Sequence, residues 1–299
     1  MIVPPMEREL CAPICYAARP FSECLVANIT LRQWVTKELV RAGFDVVEVP
    51  VNPEQCVRLP IDSDVEIGAL VMLSGNDTSE VLLNEKGETL AWKGVDDPSQ
   101  AVSRQVTKAV SRKIKYPWDF LDLNSDIVGK ITSTEIRGEV SSLAHINGYI
   151  RIGEGTEILP GVVIEGNVVI GNNCKIGPNC FLRGNTSIGD NCVIGNAVEI
   201  KNSIIYPNTM ISHLSFVGDS ILGAHVNIGA GTIISNFRHD GKNHRMVIKG
   251  ELVDTGREKM GAIIGDGVHT GINTSIYPAR KIGMGRTTLP GEIVKYDLM

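Results

Sequence analysis

Aliphatic residues recur at every sixth position through the second half of the chain. The positions that share this property are Ile152, Ile158, Ile164, Ile170, Ile176, Leu182, Ile188, Ile194 and Ile200. A period of six does not fit an α-helix, which repeats every 3.6 residues, whereas it fits short strands joined by corners. Three such strands close one triangular coil. The pattern therefore predicts a left-handed parallel β-helix of hexapeptide repeats from about Ile146 onwards.

The positions around these aliphatic residues fit the same coil. Small residues often stand two places earlier, among them Cys174, Cys180 and Cys192, which predicts that these thiols are structural and buried. Asparagine occupies corner positions such as Asn172 and Asn191. Asparagine and glycine are the residues that tolerate a positive φ at a tight corner.

The register of the repeat is interrupted at three places. It slips by one residue after Ile200, resumes at Ile205, and slips again before Leu222. A polar stretch over residues 236–260 then separates these repeats from the next ones, which begin at Ile264. We expect this stretch to be a loop that leaves the coil, and loops on a rigid scaffold often carry function.

The first part of the chain has a different pattern. Residues 31–43 have helical spacing and end at a glycine, and the apolar runs 45–49 and 69–73 predict buried strands. We therefore expect a mainly β protein with two domains. They are a small N-terminal α/β domain, residues 1–125, and a β-helix domain, residues 126–299.

Composition narrows the classes of function. The 299 residues carry a net charge of −5, so no nucleic-acid partner is expected. The chain has neither the apolar core of a signal peptide nor an apolar run long enough to span a membrane. We expect a cytoplasmic protein without a membrane partner, in which the seven cysteines stay reduced and form no metal site.

Residues 201–234 resemble the acetyltransferase half of the bifunctional N-acetylglucosamine-1-phosphate uridyltransferase family, which also acts as a glucosamine-1-phosphate N-acetyltransferase. Residues 235–250 and 254–273 are more similar to archaeal sugar-1-phosphate nucleotidyltransferases that carry a second, hexosamine-1-phosphate acetyltransferase activity. The resemblance spans about residues 117–298. It implies transfer of acetyl from acetyl-CoA to the amine of a hexosamine 1-phosphate, in a cleft between the subunits of a homotrimer.

The same resemblance implies roles for individual residues. It makes His213 the general base, because a histidine is largely neutral at pH 7 and can accept a proton. Arg183 and Lys201, one predicted coil apart, become a phosphate clamp; taken singly, each is more often a solvated surface charge. Further contacts are implied with the acceptor at Phe216, Asn227 and Asn236, and with the cofactor at Ala230, Lys242, Ile272 and Pro290.

One position departs from the family. Phe216 stands where the family has a tyrosine, so the ring remains and the hydroxyl is lost. If that hydroxyl bonds a charged phosphate, its loss weakens binding by about 1.5 to 3 kcal/mol, unless another group such as Arg245 takes its place. This departure favours either a different acceptor or a weak activity.

Residues 19–49 resemble the part of sugar nucleotidyltransferases that follows their nucleotide loop. The residues before Arg19 contain no glycine with which to cradle a triphosphate, and Asp77 follows the family's metal-binding position by one residue. We therefore expect a shortened and inactive nucleotidyltransferase-like domain. Two alternatives to the acetyltransferase remain: a sugar-1-phosphate nucleotidyltransferase, and a non-catalytic regulatory subunit that binds a sugar phosphate or nucleotide.

Overall fold

A computed structural model describes part of the N-terminal region and all of the rest of the chain. The described residues are 2–3, 25–41, 46, 57–60, 63–64, 79–95, 97–101, 103–106 and 112–299. They divide into two compact units, one that contains residues 29–41 and 79–95 and one that contains residues 25–28 and 117–299. The domain limit at residue 125 stays a prediction. Among the described residues, no helix is long and apolar enough to cross a membrane.

The N-terminal region contains short strands and one α-helix. Its elements are β1 (Ile2–Val3), β2 (Leu25–Val26), β3 (Ile29–Thr30), α1 (Leu31–Arg41), β4 (Val57–Pro60), β5 (Ser63–Asp64), β6 (Glu80–Leu83), β7 (Thr89–Lys93), a 3-10 helix (Pro98–Gln100), β8 (Ser103–Val106) and β9 (Arg112–Lys113). Five of the strands form a mixed sheet in the order β1-β4-β7-β6-β8. The predicted helix is confirmed as α1, whereas the predicted strands at 45–49 and 69–73 and residue Asp77 lie outside the described residues.

The β-helix is built from three parallel sheets, which we call faces 1, 2 and 3. Face 1 contains β10 (Glu135–Ile136), β13 (Ile150–Ile152), β16 (Val168–Ile170), β19 (Thr186–Ile188), β22 (Ile204–Ile205), β25 (Ile221–Leu222), β30 (Ala262–Ile264) and β32 (Arg280–Ile282). Face 2 contains β11 (Glu139–Val140), β14 (Glu157–Ile158), β17 (Lys175–Ile176), β20 (Val193–Asn196), β23 (Met210–His213) and β26 (Asn227–Ile228). Face 3 contains β12 (His145–Asn147), β15 (Val163–Glu165), β18 (Phe181–Arg183), β21 (Glu199–Lys201), β24 (Phe216–Gly218), β27 (Ile233–Ile234), β31 (Ser275–Ile276) and β33 (Ile293–Val294). The predicted left-handed parallel β-helix is confirmed.

The repeated aliphatic residues form the core of the coil. All nine from Ile152 to Ile200 are at most 2% exposed and belong to one apolar cluster along the axis. Early coils have eighteen residues, as the pairing of Ile152 with Ile170 shows. The pairing of Ile188 with Ile205 marks a coil of seventeen, which accounts for the predicted slip in register.

The cysteines of the β-helix are structural, as the repeat predicts. Cys174, Cys180 and Cys192 are buried free thiols in the core cluster. Burial raises the pKa of the Cys180 thiol to about 12, so this side chain stays protonated and packs as an apolar group. The other four cysteines lie outside the described residues.

A helix that the repeat did not predict precedes the coil. This helix, α2 (Asp119–Gly129), buries the side chain of Asn124, whose Oδ1 accepts from Ser187 Oγ at 2.8 Å and whose Nδ2 donates to the Asn185 carbonyl at 2.9 Å. A buried amide with every polar atom paired fixes a unique contact. Asn124 therefore anchors α2 to face 1.

The polar stretch 236–260 leaves the coil, as predicted. It contains the antiparallel hairpin of β28 (Arg245–Ile248) and β29 (Glu251–Asp254). Within it the ring of His244 is only 2% exposed, and its Nε2 lies 3.2 Å from the Asn236 carbonyl oxygen. Burial lowers the pKa of His244, and the nearby cations Arg238 and Arg280 act in the same direction.

The two sides of one strand give a test of the core. Ile194 points inward and is fully buried, whereas its neighbour Val193 points outward and is half-buried. We expect Ile194→Ala to lower the free energy of unfolding by about 2 to 5 kcal/mol, because it leaves a cavity between coils. Val193→Ala should cost less than about 1 kcal/mol. Urea denaturation of both variants measures the difference, and equal losses would contradict the inward assignment.

The burial of His244 predicts a dependence of loop stability on pH. A histidine whose pKa is lowered by folding binds fewer protons in the native state than in the open state, so the closed loop is destabilised as pH falls through the ordinary histidine range near 6.5. Hydrogen exchange should show smaller protection factors at the Thr255 and Met260 amides at pH 5.5 than at pH 7.5. His244→Gln should remove this dependence. Identical pH profiles in the two proteins would rule out His244 as its source.

Candidate functional site

His213 lies at the corner between faces 2 and 3. It is the last residue of β23, its side chain is exposed, and it pairs with Asn196 of the preceding coil. The next residue, Leu214, has a φ of +49° and is 62% exposed. A positive φ strains a bulky side chain, and other corners of this coil share the conformation, as at Ala197 and Asn208. The corner thus holds the imidazole outward beside a strained turn.

Backbone hydrogen bonds connect this corner to the equivalent corner of each following coil. Gly231 N donates to the His213 carbonyl at 3.3 Å, Asn273 N to that of Ala230 at 2.7 Å, and Gly291 N to that of Ile272 at 2.8 Å. Gly231 has a φ of +74°, and a Cβ there would lie 2.3 Å from Asn273 Oδ1. Only glycine fits such a position.

The stacking collects three of the four residues predicted to contact the cofactor. Ala230, Ile272 and Pro290 follow one another in the three coils above His213, each immediately before the residue that donates in this ladder. Ile272 is 53% exposed and Leu289, next to Pro290, is 73% exposed. The corner therefore presents a column of backbone and apolar surface that ends at the histidine.

Arg183 and Lys201 are direct neighbours on face 3. They pair in the register of β18 and β21, as their spacing of one coil predicts. The Arg183 guanidinium forms an ion pair with Glu199, with nitrogen–oxygen distances of 2.6 and 2.7 Å, and it lies 5.4 Å above the centre of the Phe181 ring. The carboxylate and the ring hold the guanidinium in a defined position.

Lys201 and Asn236 meet at a buried carboxylate. Asp219 is 2% exposed, and its Oδ2 lies 3.4 Å from Lys201 Nζ and accepts from Asn236 Nδ2 at 2.6 Å. Its Oδ1 accepts from Asn202 Nδ2 at 3.0 Å. The structure thus brings two of the predicted acceptor contacts together, and it does so through a residue that the sequence did not indicate.

Phe216 packs beside the same group. Its ring edge and the Asn236 amide enclose Gly218, where a Cβ would lie 2.7 Å from both Phe216 Cζ and Asn236 Nδ2. Gly218 pairs with Lys201 in the neighbouring coil. Glycine at this position therefore leaves room for the ring, the amide and the lysine side by side.

The remaining predicted residues lie on other parts of the scaffold. Asn227 is exposed on face 2, where it pairs with Met210 and forms a bridge with His269. Lys242 and Arg245 are exposed in the extruded loop, and Lys242 N donates to Asp240 Oδ1 at 3.3 Å. The predicted residues thus form a face 2 and corner group around His213, and a face 3 group around Lys201.

Sequence reasoning missed the partners of these residues. Glu199 and Asp219 bind the two clamp cations, and Leu214 adopts the strained corner conformation. The sequence contained a signal for Glu199, because this residue stands two places before Lys201 and therefore points outward from the same strand and face. Nothing in the pattern indicated Asp219, because corner aspartates are common in this repeat.

Comparisons with known proteins support the predicted resemblance. A family model described as the GMPPB C-terminal domain matches residues 164–282. The chain is 41% identical over 182 residues to a bifunctional sugar-1-phosphate nucleotidylyltransferase/acetyltransferase of Sulfurisphaera tokodaii. The aligned residues cover 61% of this chain and 45% of that protein. It is 55% identical over 170 residues to the bifunctional protein GlmU of Methanococcus maripaludis. Those residues cover 57% of this chain and 41% of that protein.

Among solved structures, the UDP-N-acetylglucosamine acyltransferase of Francisella novicida matches 55% of this chain and 61% of its own, at 18% identity and a TM-score of 0.26. The chain spans less than half the length of the curated relatives named above. Over more than half of its own length, the chain is similar to bifunctional sugar-1-phosphate nucleotidylyltransferase/acetyltransferases, archaeal ones included, and the resemblance predicted from its motifs is confirmed.

Proposed function

We propose that the β-helix catalyses transfer of an acetyl group from acetyl-CoA to the amine of a hexosamine 1-phosphate. The observation that carries this proposal is the corner column, in which Ala230, Ile272 and Pro290 rise in successive coils directly above His213. A thioester carried on an extended arm along this column would meet a general base at its lower end. The Sulfurisphaera relative is named as an acetyltransferase as well as a nucleotidylyltransferase, which supports the same reaction class.

The chemistry assigned to His213 is proton transfer. The amine nitrogen attacks the thioester carbonyl carbon, the carbon–sulfur bond breaks, and an amide and the free thiol of CoA are formed. The attacking nitrogen must lose a proton, which the exposed imidazole accepts and can pass to the departing sulfur. Because His213 is held at a strand end with its side chain outward, it is placed to act on a substrate lying outside the coil.

An extended arm would lie along the column. Three coil steps separate His213 from Pro290, and strands in one sheet lie about 4.8 Å apart, so the column is about 14 Å long. Exposed apolar side chains such as Ile272 and Leu289 flank it, and backbone groups of the corner face the same side. We assign the acyl-CoA arm to this column, with Lys242 of the extruded loop as a cation for the charged end of the cofactor.

Arg183 and Lys201 supply the phosphate clamp in this proposal. Two nitrogens of Arg183 are engaged by Glu199, which leaves further guanidinium N–H groups for a second oxygen acceptor. Lys201 has three donors, of which Asp219 takes one. Both cations thus keep free donors while their carboxylate partners hold them in place.

We further propose that the active unit is a cytoplasmic homotrimer. His213 lies at the corner between faces 2 and 3, and Lys201 lies at the end of face 3 that leads to face 1, so a neighbouring subunit would complete an enclosed site. Equilibrium sedimentation tests the assembly, and a monomer would count against the shared site.

The proposed base gives the first test of function. We expect thiol release from acetyl-CoA that depends on glucosamine 1-phosphate or galactosamine 1-phosphate, and we expect His213→Ala to slow it at least about 100-fold, the lower range for loss of a general base. His225→Asn is the matched control, because His225, like His213, is exposed at a corner of the coil. His225 has a positive φ, which asparagine tolerates. Full activity in His213→Ala would exclude the mechanism. Wild-type protein that is silent with both acceptors would favour the non-catalytic binding function.

Phe216 gives a test of phosphate recognition. We expect Phe216→Tyr to lower KM for the hexosamine 1-phosphate about ten- to a hundredfold, because a hydroxyl bonded to a charged group contributes about 1.5 to 3 kcal/mol. The same variant should leave KM for the phosphate-free hexosamine unchanged. An equal effect on both acceptors would show that the hydroxyl contacts the sugar and not the phosphate.

A further inference from the structure

Asp219 connects the clamp lysine to both ends of the extruded loop. Its carboxylate binds Lys201 and Asn236, the first residue of the loop, and lies 3.9 Å from the guanidinium of Arg257 near the end of the loop. Its own carbonyl accepts from Gly261 N at 2.9 Å, where the chain re-enters the coil. One residue therefore contacts the loop at its start, near its end, and at its exit.

The carboxylate also fixes which way the asparagine amide points. An ionised carboxylate can only accept, so Asn236 must turn its Nδ2 toward Asp219, which directs its Oδ1 away from that carboxylate. The same argument orients Asn202. An amide with a single orientation presents its acceptor oxygen at a defined place to a sugar hydroxyl or amine. An amide that is free to flip presents the oxygen and the nitrogen in turn at that place.

The backbone conformation and the neighbours of Asp219 fit a buried carboxylate at this position. Asp219 has a φ of +49°, a conformation that aspartate and asparagine tolerate better than other side chains. Arg257 is also bound by Asp122 of α2, so its charge is shared between two carboxylates. The side chain exposure of Asp219 is 4%, against 19% for Lys201, so the anion lies beneath the surface and the cation reaches it.

We propose that Asp219 is a positioning residue that holds Lys201 and Asn236 for the acceptor and closes the extruded loop over the same site. The substrate half of this inference rests on the proposed function, and the loop half does not. Acceptor binding and loop closure share one carboxylate, so a change at Asp219 must affect both.

Asp219→Asn is the test, because asparagine keeps the size and the backbone conformation and removes the charge. We expect KM for the hexosamine 1-phosphate to rise about tenfold, since charge-assisted hydrogen bonds to Lys201 and Asn236 are weakened, while KM for acetyl-CoA changes less than about twofold. In a Lys201→Ala background the same substitution should add less than about threefold. Asp266→Asn is the matched control, because Asp266 is also a buried corner carboxylate and bonds the Ala224 amide.

A second measurement separates this inference from the proposed function. Hydrogen exchange without any substrate should show protection at residues 236–260 reduced about tenfold in Asp219→Asn and unchanged in Asp266→Asn. Unchanged loop protection would overturn the inference whatever the activity. Tighter acceptor binding in Asp219→Asn would also overturn it, because it would mean that the carboxylate acts by repelling the phosphate.

Discussion

Backbone hydrogen bonding between successive coils is the constraint on which this structure depends. Each coil must contribute strands whose N–H and C=O groups meet those of the coil below, and this fixes the coil length at seventeen or eighteen residues. Residues one coil apart are then side by side whatever their chemistry. The same constraint that stacks Ile152 on Ile170 in the core places Arg183 opposite Lys201 on the surface. The candidate site is thus a by-product of the stacking.

Much of the β-helix could be predicted because its signal is repeated. Nine inward aliphatic residues give nine independent readings of one register, so a single irregular residue cannot hide it. The slips and the extruded loop were also visible, since each displaces every later aliphatic residue. In contrast, α2 and the β6–β7 hairpin occur once each. A short pattern that occurs once is also compatible with a turn or a loop. Asn124, which anchors α2, has no signature that separates it from a surface amide.

The candidate site shows the same division. The motif around His213 predicted a residue at a corner, and the register places Ala230, Ile272 and Pro290 in one column above it. What the motif could not supply was the set of carboxylates that neutralise the cations. Ion pairs such as Arg183 with Glu199 join residues from different coils, and burial decides their strength. Asp219, the partner of Lys201, can be identified only after the coils are stacked.

Face 2 contains six strands, whereas faces 1 and 3 contain eight, and above Asn227 it continues only as isolated bridges at His269 and Thr287. Backbone hydrogen bonds still join these upper coils, since Asn227 N donates to the Val268 carbonyl at 2.9 Å and His269 N to that of Arg286 at 3.0 Å. Inward residues of this part of face 2, such as Val268, are buried in the core, whereas the outward residues His269 and Thr287 are exposed and adjoin the corner where a substrate would lie. A descendant of this gene could therefore exchange the exposed side chains of this part of face 2 one at a time with little loss of stability, and so alter the surface next to that corner.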